Sequence, residues 1–175
     1  EPSVMNIIPM FTLNTINSAW PNDPHPAFIV DDVVKTEMFI GSFQADAANT
    51  SRLVSLPHKS PMNYVNTDQA ITRGRAGGPG WHCMTNAEWA AVALLAHKAD
   101  IEVRGNSNYG RDVTATWETG TLDGRNSSYG GFPGAVTKPG DTSKWCPTLT
   151  GSGPASWSHD GTPFGIMDLC GNVWE

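Results

Sequence analysis

At 175 residues the chain is long enough for one domain whose core needs no disulfide or metal staple. A net charge of -6 argues against nucleic-acid binding led by phosphate contacts, and no apolar run approaches the ~20 residues of a membrane span. With 16% charged residues beside 18 Gly, 13 Pro and 7 Trp, the composition points to a loop-rich globular fold with aromatic anchors and away from a helical bundle.

In chain order, residues 1–25 are polar and punctuated by proline, and read as an irregular N-terminal arm ahead of a domain spanning 26–175. Residues 27–34, with Asp31-Asp32 at the centre, read as a β-hairpin with an acidic turn. Residues 36–43 (T-E-M-F-I-G-S-F) alternate but carry apolar groups on both faces, which predicts a strand central in its sheet. Residues 46–51 form a polar loop, and residues 52–56 a further short strand stopped by Pro57. A short helix is expected over 66–74, with Thr67 as N-cap, Asp68 in its first turn and Gly74 at its exit.

The clearest helix lies within 81–100. Thr85 and Glu88 form a capping box, in which the Thr85 hydroxyl and the Glu88 carboxylate each take a free backbone N–H. Trp89, Val92, Ala93 and Ala96 follow at helical spacing, which predicts one apolar face with Trp89 on it, widened by Leu94 and Leu95. From 104 to 162 the chain becomes rich in Gly, Asn, Ser and Thr, with Trp117, Trp145 and Trp157 spaced along it. It has no sustained period, and its aromatics argue against disorder, so it reads as ordered irregular structure with short strands. Residues 163–175 mix buried-type residues with turn-formers and two carboxylates, Asp168 and Glu175. A stretch this apolar is a poor terminus, so the polypeptide is expected to continue beyond Glu175.

Chemistry-bearing motifs are sparse. Cys83, Cys146 and Cys170 permit at most one internal disulfide, and buried free thiols are the plain reading. No zinc-type spacing is present, so His82 beside Cys83 is a weak ligand pair. His159-Asp160 can be an acid/base pair, but H-D-G more often makes a turn. Arg104, Arg111 and Arg125 are expected to pair with acids such as Asp112 or Asp123, or to contact a ligand. Asn49-Thr50-Ser51 and Asn126-Ser127-Ser128 match the glycosylation pattern.

Two stretches carry a family resemblance. The ending G-I-M-D-L-C-G-N-V-W-E resembles the Gly-Asn-Val-Trp-Glu signature of the formylglycine-generating (sulfatase-modifying) superfamily. The capped helix W-H-C-M-T-N-A-E-W-A-A-V-A-L-L-A resembles that superfamily's other landmark. Their order and the Gly-rich stretch between them fit too. The wording, including R-G-N-S-N-Y-G-R-D, is most similar to a phage- and virus-associated branch, the variable proteins of diversity-generating retroelements. The match touches most of the chain from about Pro26 onward.

The resemblance implies an α+β, C-type-lectin-like fold, with two helices packed on short antiparallel strands and Trp174 as a core anchor. It also implies a calcium site made by the side chains of Asp168 and Glu175 and the carbonyls of Gly171 and Val173. Such a mixture suits calcium, which takes six to eight oxygens. The same two carboxylates can instead cap backbone N–H groups in a tight turn. The function implied is non-enzymatic binding of a cell-surface protein or glycan, displayed on a virion or outside the cell. A second chain carrying the remaining C-terminal part is a further implied partner. Two alternatives stand beside it: an oxidase of the formylglycine-generating type, whose cysteine pair would lie beyond residue 175, and a structural virion component.

Overall fold

A computed structural model describes residues 2–124, 138–141 and 147–173. Trp145, Cys146, Trp174, Glu175, Arg125 and the second glycosylation pattern, which begins at Asn126, lie outside the described residues. The described chain is mixed α and β, with helices and short antiparallel strand pairs. Strand β1 (Met5–Pro9) precedes a single turn, α1 (Leu13–Ile16), and a 3-10 turn (Pro26–Phe28). Then come β2 (Ile29–Val30), β3 (Val33–Val34), β4 (Glu37–Gly41), α2 (Thr67–Arg75) and α3 (Asn86–Lys98). A second 3-10 turn covers Ala155–Trp157.

The arm expected to be irregular contains β1, which pairs antiparallel with β4, Ile7 opposite Phe39 and Ile8 opposite Met38. β4 is therefore one of two strands in its sheet among the described residues and is not central. Its apolar groups on both faces reflect one buried side, with Ile40, and one exposed side, with Phe39. The acidic hairpin forms as expected. Asp31 and Asp32 take φ of 51° and 61°, the left-handed pair of a tight turn, and β2 pairs with β3 on either side.

The α3 capping box is present: the Thr85 hydroxyl accepts from Glu88 N, and Glu88 Oε2 accepts from Thr85 N at 2.7 Å. The apolar face is rotated from the expected one. Ala91, Val92 and Ala96 are buried with Leu95 beside them, while Trp89 is 50% exposed. The cap of α2 is one residue earlier than expected. Asn66 caps Gln69 N at 2.8 Å, and the Gln69 side chain returns the bond to Asn66 N at 3.2 Å.

One core joins these pieces. Ile8 of β1, Phe28 of the 3-10 turn, Ile40 of β4, Val92 of α3 and Ile166 near the C-terminal end pack together. Phe11 meets Phe28 edge to face at 5.5 Å. Full burial of such side chains stabilises by roughly 1.5–3 kcal/mol each. Ile166 ties the irregular C-terminal region to the sheet and the helix.

Candidate functional site

Among its described residues the region from 104 to 173 has few ladder hydrogen bonds, and buried side chains take their place. Isolated bridges pair Asn106 with Gly171, Arg111 with Thr119, Leu122 with Thr148 and Ser158 with Met167. Asn172, 8% exposed, is the hub. Its Oδ1 accepts from Thr148 N at 2.7 Å, Thr148 Oγ1 at 3.1 Å and Asn106 Nδ2 at 3.2 Å. Its Nδ2 donates to Gln44 Oε1 at 2.9 Å and Thr148 O at 3.1 Å. Its backbone N–H donates to Asn106 O at 2.9 Å. One side chain thus ties three other stretches of chain to the C-terminal turn.

Of the four residues implied as calcium ligands, Asp168, Gly171 and Val173 are described and share this turn. Asp168 is 2% exposed, takes φ of 60°, and its Oδ2 accepts from Gly151 N at 2.7 Å. Gln44 Nε2 donates to the carbonyls of Asp168 at 3.3 Å and Gly171 at 3.4 Å, and Val173 N donates to the Gly171 carbonyl at 3.0 Å. The positive end of a side-chain amide therefore already faces two inward carbonyls. Among the described residues no group of three or more His, Cys, Asp or Glu is placed to hold a metal. Asp168 Oδ2 accepts from the Gly151 N–H, as in the capping alternative, while Glu175, the other carboxylate of the implied calcium site, lies outside the described residues. The residues missed in the sequence were Gln44, Asn106, Thr148 and Asn172. The Asn in Gly-Asn-Val signalled a turn, but its side-chain partners lie 24 to 128 positions away.

A second anchored stretch runs from 105 to 119. Asp112 is buried and its Oδ1 accepts from Thr114 N at 2.8 Å, Thr114 Oγ1 at 2.7 Å and Ala115 N at 2.7 Å. Burial opposes its charge, but the hydrogen bonds from Ala115, Thr114 and Gly105 outweigh it and hold the pKa down to about 2 from 3.8. Asn106 Oδ1 accepts from Gly110 N at 2.6 Å. Glu118 receives Arg104 Nη1 at 3.0 Å, Ser156 Oγ at 2.8 Å and the indole N–H of Trp157 at 3.2 Å. Arg104 thus pairs with Glu118, and with Glu102 at 3.4 Å, while Asp112 serves the backbone and Asp123 accepts from Ser60 Oγ. The stretch presents Trp117, 77% exposed, between buried Ala115 and anchored Glu118.

The remaining chemical candidates are structural. His159 is buried with Nδ1 accepting from Ile166 N at 2.9 Å, and Asp160 Oδ1 caps Thr162, so the two do not form an acid/base pair. His82 bonds Glu88 at 2.9 Å. Cys83 and Cys170 are free. Burial raises both thiol pKa values, and the Asp112 charge adds to the rise at Cys170, so neither is an activated nucleophile. No protein-family model and no curated protein matches this chain.

Proposed function

We propose that this chain is a non-enzymatic binding protein on a C-type-lectin-like scaffold, of the kind found among variable proteins of diversity-generating retroelements and related viral display proteins. It recognises a cell-surface protein or glycan by non-covalent contact. The observation that carries the reading is Trp117, largely exposed on a stretch locked from beneath by Asp112, Ala115 and Glu118. An indole held open to solvent on an anchored stretch offers contact area with little backbone ordering to pay for on binding. Loops positioned by a rigid scaffold are where recognition is usually built. The reading requires no calcium and no reactive thiol.

The test uses labelled protein on intact cells and on immobilised glycans. Trp117→Ala is expected to lower affinity by about tenfold or more while leaving Tm within a few degrees, because the indole supports nothing beneath it. Protease treatment of the cells abolishes binding to a protein ligand, and glycosidase treatment abolishes binding to a glycan. Equal binding by wild type and Trp117→Ala contradicts the reading.

A further inference from the structure

Two of the five histidines are buried, His25 at 5% and His159 at 7% exposure. They lie on segments far apart in sequence but are used in the same way. His25 Nδ1 accepts from Ala27 N at 3.2 Å, while its carbonyl accepts from Phe28 N at 2.9 Å. His159 Nδ1 accepts from Ile166 N at 2.9 Å, and its own N–H donates to Ile166 O at 3.0 Å. Phe28 and Ile166 are two of the five residues of the shared core. The His25 imidazole is therefore the acceptor that holds Ala27, which packs against that core, and the His159 imidazole the acceptor that holds Ile166, and only the neutral form of each can do this. Protonation puts a second N–H where an N–H donor already points.

We propose that His25 and His159 form a paired acid-sensitive latch on the core, and that protonating them frees Ala27 and Ile166 and loosens the domain as the pH falls below neutral. The groups facing each ring are few. Phe11 packs on His25 with centroids 5.2 Å apart and brings no charge, and burial lowers the His25 pKa. Asp23, two residues earlier, is tied by its carbonyl to Leu13 N. At His159 burial lowers the pKa and the Asp160 charge partly offsets it. Asp160 also accepts from Ser158 Oγ and Thr162, so its charge is shared.

Both folded-state values lie below the ordinary 6.5. Stability is therefore full above that value and is lost as pH falls through the folded-state pKa. His82 acts in the opposite sense. Burial opposes its charge, but bonds to Gly80 O and Glu88 and the Glu88 charge outweigh it and raise the pKa. Its contribution is present below 6.5 and fades as pH rises through its folded-state value. Half its side chain is exposed, so solvent screens it.

The test compares wild type with the double variant His25→Asn, His159→Asn. The Asn Oδ1 stands near the position of Nδ1 and accepts the same bond without titrating. Between pH 7.5 and 5.0 the wild-type Tm is expected to fall by about 5 °C or more, and that of the double variant by no more than half as much. Equal falls in the two proteins, or no fall in wild type, overturn the latch. A second measurement needs only wild type. In an NMR titration the His159 ring and the Ile166 amide must change together, at a midpoint below 6.5. A ring that titrates while the Ile166 amide stays unmoved overturns the latch, even if the double variant does not fold.

Discussion

Replacing Asn172 with alanine is expected to cost about 3–5 kcal/mol, against a total of about 5–15 kcal/mol for a domain. The substitution removes five side-chain hydrogen bonds at once, those to Thr148 N, Thr148 Oγ1, Thr148 O, Asn106 Nδ2 and Gln44 Oε1. Thr148 and Asn106 stay buried, and Gln44 is half-buried. Thr148 is fully inaccessible to solvent, and its N–H is left without its 2.7 Å acceptor. A buried donor left unmet costs about 1–3 kcal/mol. The φ of 70° at Asn172 adds a smaller term, because Asn tolerates this region better than Ala. For a chain of this length the loss corresponds to a fall in Tm of about 10 °C. Urea unfolding at neutral pH measures it, and a change below about 1 kcal/mol shows that the hub is not a principal tie.

The second large effect is expected where residues 105–106 run against 170–171. A Cβ on Gly171 would collide with the Asn106 carbonyl, and its φ of 77° strains any L residue. A Cβ on Gly105 would collide with the Cys170 carbonyl. Neither obstacle is the end of a flexible side chain, so the two backbones must separate, and the Asn172 N–H to Asn106 O bond goes with them. Gly171→Ala is expected to cost about 4 kcal/mol, of which the positive φ accounts for about 1–2 kcal/mol. Gly80→Ala is the internal control. Its φ is 83°, but a Cβ there meets nothing within 4 Å, so only the conformational part should appear. Equal losses at the two positions in urea unfolding show that the close approach contributes nothing.

Much of the first hundred residues was legible because its signals are local. Thr85 and Glu88 are three apart and satisfy each other across one helical turn. Asp31-Asp32 sits between two β-branched pairs and makes the turn that spacing predicts. Where the sequence misled, a distant partner decides. β1 carries prolines nearby and its alternation is weak, and it becomes a strand because β4 offers its edge. Trp89 matches the helical period, yet it stands half exposed near the N-terminal end of α3 while Ala91, Val92 and Ala96 are buried. The turn at 168–173 was legible as a turn. Its fastening was not, because Gln44, Asn106 and Thr148 gain meaning only once folding brings them to Asn172. Trp117 and Glu118 were likewise unreadable as an exposed ring beside a partly buried, anchored carboxylate, since no period marks the stretch.

The central claim is that side-chain amides and carboxylates of the described residues lock the irregular C-terminal region into a ready-made surface. Amide hydrogen exchange in buffer containing a calcium chelator tests it most directly. The N–H groups of Gly110, Ala115, Thr148, Gly151 and Ile166 each donate to a side chain. They are predicted to exchange far more slowly than the exposed Val33 and Val34 amides of the hairpin strand, and to gain nothing when calcium is added. Rapid exchange at these five amides in the chelator, with protection appearing only on addition of calcium, would contradict the account.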